Sequence, residues 1–146
     1  MKTMLIAILC LAATVAHGAE PVAAKPPVSN PDAEKAAVQA AEHWLALVDA
    51  EKYEESWDES ATLFRKAITK EDWGNRLGVS RGLFGKLVAR KVKSAEYHTA
   101  LPGAPDGEYV VIQFETSFAN KKESIETVTP MKDKDGKWRV SGYFIK

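Results

Sequence analysis

The stretch EYVVIQFETSF, Glu108–Phe118, decides the fold. Val110, Ile112, Phe114, Thr116 and Phe118 fall on one side of an extended chain. Tyr109, Val111, Gln113, Glu115 and Ser117 fall on the other. A period of two is the signature of a strand with one face buried and one face wetter. Pro102–Gly107 is a turn cluster before it, and Asn120–Lys122 turns the chain after it.

Working outward, the same logic gives three more strands. Leu87–Tyr97 precedes the decisive stretch, and Ser124–Met131 follows it. Asp133–Gly136 is a hairpin turn, and Lys137–Ile145 closes the chain. Pairing Met131 with Trp138 sets Thr129 opposite Val140, Thr127 opposite Gly142 and Ile125 opposite Phe144. All of these then join the Ile112 and Phe114 face. Glu126, Val128, Arg139, Ser141 and Tyr143 join Gln113, Glu115 and Ser117 on the opposite, exposed face.

Upstream the period changes to that of helices. Asn30 can cap a helix with Pro31 at its first position, and Asp32 and Glu34 suit its positive end. Ala33, Ala37, Ala41, Trp44 and Val48 follow at helical spacing, so helix one should reach about Ala50. Tyr53, Trp57, Ala61 and Phe64 mark a second helix. Thr69 and Asp72 resemble a capping box that opens a third through Trp73 and Leu77, and Gly78, Gly82 and Gly85 weaken its continuation. The expected class is α+β: about three helices on one face of a four-stranded antiparallel meander, similar to nuclear-transport-factor-like or cystatin-like rolls.

Residues 1–18 read differently. Lys2 is followed by an apolar run from Met4 to Val15 and by small residues at Ala16 and Gly18, the layout of a secretory signal peptide. Residues 19–30 read as a Pro/Ala-rich tether and 31–146 as one domain. The protein is therefore expected in the periplasm or outside the cell, without integral membrane association after cleavage. Cleavage removes Cys10, the single cysteine, and with it any disulfide, thiol nucleophile or thiolate metal site.

The chain carries 20 basic and 20 acidic residues, so no overall charge points to nucleic acid. Lys86, Arg90, Lys91 and Lys93 make a basic strand, which reads as protection of a sheet edge. His17, His43 and His98 have no partner at metal-ligand spacing, and no cofactor is expected. Asp133, Asp135 and Gly136 are explained by a turn better than by a calcium loop.

Several stretches are distinctive: WLALVD (Trp44–Asp49), Tyr53 through Ser56 and Trp57, and LPGAPDGEYVVIQFET (Leu101–Thr116). ETVTPM (Glu126–Met131) and DGKWRVSGY (Asp135–Tyr143) complete the set. Together they resemble the bacterial family known as domain of unknown function 4019, over roughly residues 36–145. The resemblance implies no activity and no catalytic residue.

The face that the helices should cover shows no acid, base or nucleophile with a partner, so an enzyme is not expected. The expected role is a non-catalytic binding or accessory module. Gln113, Glu115, Glu126, Arg139 and Tyr143 on the exposed sheet face are its candidate contacts, and a second copy or another exported protein is its partner. The alternative is a carrier that holds a small apolar ligand between helices and sheet.

Overall fold

The computed structural model describes residues 6–8 and 26–146. Four helices precede a meander: α1 (Pro31–Asp49), α2 (Tyr53–Asp58), α3 (Thr62–Ala67) and α4 (Lys70–Phe84), then β2 (Leu87–His98), β3 (Tyr109–Phe118), β4 (Lys121–Lys132) and β5 (Trp138–Ile145). A short strand, β1 (Ile6–Ile8), lies antiparallel to Tyr143–Ile145 at the far edge. The strand order is β1-β5-β4-β3-β2. Apart from these three residues and the last few before α1, the leader and tether readings fall outside the described residues.

Local sequence explains the helix boundaries. The Asn30 side chain accepts from the Ala33 amide at 3.2 Å, with Pro31 directly inside the helix. Thr69 Oγ1 accepts from the Asp72 amide at 3.1 Å. The expected second helix divides in two. Ala61 is extended (ψ 152°), and its amide donates to the Val140 carbonyl at 2.8 Å, so β5 takes a donor that helical continuation would have used. α4 runs on through Gly78 and Gly82 to Phe84. A Cβ at Gly78 would meet the Tyr53 ring at 3.6 Å, ordinary van der Waals contact, so α4 passes α2 here without needing a glycine.

β3 is oriented as its alternation requires: Val110, Ile112, Phe114, Thr116 and Phe118 are all buried beneath the helices. The neighbouring register differs from expectation. The turn into β4 has two residues, Ala119 and Asn120, and Phe118 pairs with Lys121. After a bulge Thr116 pairs with Ser124, Phe114 with Glu126 and Ile112 with Val128. Glu126, Val128 and Pro130 therefore point inward, and Ile125, Thr127 and Thr129 point outward.

A second bulge lies between β4 and β5. Pro130 pairs with Val140, but Thr129 pairs with Gly142, Val128 with Tyr143 and Thr127 with Phe144. Val140, Tyr143 and Ile145 thus all reach the core side. Proline has no amide to offer a ladder, and within a sheet it is tolerated at such irregularities. A register change of one residue exchanges the faces of a strand. That is why Glu126 and Tyr143 are buried and not exposed.

The core is aromatic. Trp73 lies 4.9 Å from Phe64 and 5.8 Å from Trp44 between ring centroids, and Tyr143 lies 5.2 Å from Trp44. The indole donors are satisfied in place. Trp44 Nε1 reaches the Ser56 carbonyl at 2.8 Å, and Trp73 Nε1 reaches Ser56 Oγ at 3.0 Å.

Candidate functional site

Glu126 is 0% exposed, and an ionised carboxylate in that position needs partners. Three neighbours supply them. Arg90 Nε donates to Oε1 at 2.7 Å, Thr116 Oγ1 donates to Oε1 at 2.6 Å, and the Tyr143 hydroxyl donates to Oε2 at 2.5 Å. The remaining Arg90 nitrogens grip Asp49 at the end of α1, at 2.6 and 3.0 Å. Asp49 Oδ1 also accepts from Arg81 Nη2 at 2.8 Å, and the Arg81 guanidinium lies 4.7 Å over the Phe118 ring. Two carboxylates and two guanidinium groups thus join α1, α4, β2 and β4 across the interface between layers.

The electrostatics follow from burial. Desolvation alone would raise the Asp49 carboxyl, but hydrogen bonds from Arg90 and Arg81 outweigh it and hold the group below its ordinary value of 3.8. Desolvation opposes the Arg90 charge, and the bonds to Asp49 and Glu126 more than offset it, so the proton is held more tightly than usual. Burial and then the Glu126 charge push the Tyr143 phenol well above 10.0.

These shifts predict a stability plateau with two limbs. A depressed carboxyl stabilises the fold above the unfolded value, and that contribution fades as pH falls through the folded one. The Asp49 share is thus lost progressively below about pH 4. A raised phenol stabilises below its unfolded value, so the Tyr143 share is lost as pH climbs past about 10. Thermal midpoints of the parent chain and of Asp49→Asn should converge in acid while differing at neutral pH. A gap that stays constant down to pH 2.5 would contradict this assignment.

The expected site residues separate into two groups. Gln113 and Glu115 do face outward: Gln113 stands between Ser94 and Thr127, and Glu115 pairs with Lys91 Nζ at 2.8 Å. Arg139 is held by Asp135 at 2.8 Å and Asp133 at 3.3 Å beside the last turn. Glu126 and Tyr143 belong to the buried cluster. Asp49, Arg81 and Arg90 were not expected there. Their only signal in the sequence was position, since Asp49 and Arg81 extend the apolar rows that end in Leu45 and Leu77. Arg90, read as an edge charge, turns inward.

The outer face of the sheet has its own relief. A groove of about 550 Å³ runs where β2, β3, β4 and the C-terminal residue meet, lined by Ala89, Lys91, Glu115, Ser117, Lys122 and Ile125 among others. Phe144, 38% exposed, stands on the same face beside Thr127.

The sequence profile of the family described as "Protein of unknown function (DUF4019)" matches residues 40–143. The chain belongs to the DUF4019 family. The match takes in every residue of the buried cluster, from Asp49 to Tyr143, together with most of the groove. No curated protein and no solved structure matches this DUF4019 chain. Among the described residues, no helix is long and apolar enough to cross a membrane.

Proposed function

We propose that this DUF4019 domain is an exported, non-catalytic binding module that engages another polypeptide through the outer face of its sheet. The groove over β2–β4 carries the reading. It combines apolar wall (Ala89, Ile125) with charged rim (Lys91, Lys122, Glu115), the mixture found at moderate protein interfaces. The buried acid supports the same side. Glu126 has both oxygens occupied and no exposure, an arrangement suited to holding layers together and not to exchanging protons with a substrate. The volume that an apolar-ligand carrier would use is occupied by Trp44, Phe64, Trp73 and Tyr143. Export rests on Lys2 and the apolar run that follows it.

The test is a photoreactive residue placed at Ile125, on the groove wall, or at Arg76, on the exposed side of α4. Irradiation of living cells should give a discrete adduct from position 125 and none from 76. No adduct at 125, or the same adducts from both positions, would overturn the proposal.

A further inference from the structure

Resting on that reading, we infer that the partner is an extended, acidic segment that adds as a further strand to the open edge of β2. β2 spans 12 residues and lies at the end of the sheet. Along Leu87–Glu96, the backbone groups that do not face β3 meet no backbone partner among the described residues. Such an edge is a template for strand addition.

One backbone bond already reaches this edge: the Val28 amide donates to the Tyr97 carbonyl at 3.1 Å, at the far end of β2. Pro26 and Pro27 immediately precede Val28. Neither has an amide hydrogen, so this segment cannot supply the next donors. Among the described residues, no further backbone group bonds to the rest of the edge.

Charge selects the added strand. Lys91 and Lys93 share one carboxylate, Glu115, at 2.8 and 4.0 Å, and Lys86 is exposed just before the strand. Even with Glu96 on the same strand, lysines outnumber carboxylates along the strip. Antiparallel pairing of β2 with the same strand of a second copy, centred on Val92, would bring Lys91 against Lys93, and like charges directly opposite each other destabilise that ladder. An acidic strand meets the opposite situation. Apolar anchorage comes from Val88 and Val92, 67% and 41% exposed, and outward side chains of the added strand would reach the groove that starts at Ala89. The bulges at Leu87/Ala89 and Val92/Ser94 restrict which segments fit, which protects the edge from indiscriminate pairing.

The experiment uses two end-capped peptides about as long as β2, one alternating Glu with Val and one alternating Lys with Val. Each is added to the full chain while amide exchange is followed by NMR. The acidic peptide should slow exchange of edge amides within Val88–Lys93 by about tenfold or more, and the basic peptide should not. The double substitution Lys91→Glu/Lys93→Glu, on exposed positions, should reverse that preference. Equal protection by both peptides, or protection confined to other strands, would overturn the inference. If the position-125 adduct forms in cells but β2 amides are unmoved by the acidic peptide, the edge proposal fails and the outer-face reading stands. If no adduct forms, that reading fails on its own.

Discussion

Glu126→Ala should destabilise the domain by about 3–5 kcal/mol, the cost typical of removing one partner from a buried ion pair. The substitution leaves Arg90 Nε without its acceptor and strips the Tyr143 and Thr116 hydroxyls of theirs. Stranded buried donors cost more than the hydrogen bonds were worth. Because a whole domain is stable by only about 5–15 kcal/mol, the denaturation midpoint should fall steeply, with little change in the slope of the transition. Glu126→Gln, which keeps an oxygen acceptor, should lie between the two. Glu126→Leu combined with Arg90→Met should recover much of the loss, since replacing both members of a buried pair with apolar groups is often near neutral. A Glu126→Ala variant within about 1 kcal/mol of the parent would show that the cluster contributes little.

Trp73→Ala should be comparably severe, about 3–5 kcal/mol, for an unrelated reason. Trp73 is fully buried and packs edge-on against Phe64 while touching the Trp44 and Tyr143 rings. Truncation opens a void at the centre of the aromatic group, which well-packed neighbours can only partly fill. Trp73→Phe retains most of the contact and loses the Nε1 bond to Ser56, about 1 kcal/mol. Thermal unfolding should rank parent, Trp73→Phe, Trp73→Ala, the last with a midpoint lower by about 15 °C or more. Equal midpoints for the two variants would mean that ring volume is not what this position contributes.

The register of β3 was legible because its alternation is uninterrupted, and α1 because cap, proline and apolar row agree. The faces of β4 were not. Their assignment turned on the bulge between Thr116 and Phe118, since the two-residue turn alone would set Ile125 opposite Phe114, and on how Pro130 disturbs the ladder. A proline inside an interior strand is itself a signal of a bulge, so the second shift had a mark in the sequence. The first had none that local chemistry supplies, because no glycine or proline lies between Ser117 and Ser124 to announce a bulge. The break at Ser60–Ala61 was hidden for a similar reason, since it depends on a carbonyl of Val140, far along the chain. Arg90 could not be placed from composition. An arginine among lysines on an edge strand reads as solvated charge until Asp49 and Glu126 are seen on either side of it.

The link from Asp49 through Arg90 to Glu126 has a consequence for how the chain assembles. Its members sit 41 and 36 positions apart in sequence, and each stands on a different element. A meander formed before α1 has docked would hold a glutamate–arginine pair in contact with solvent, where it contributes almost nothing. A docked helix without the finished meander would leave Asp49 short of its strongest partner. Intermediates of either kind gain only a fraction of the cluster's stabilisation until the last element arrives. Folding should accordingly be all-or-none, with the two layers forming together and with no stable half-built domain.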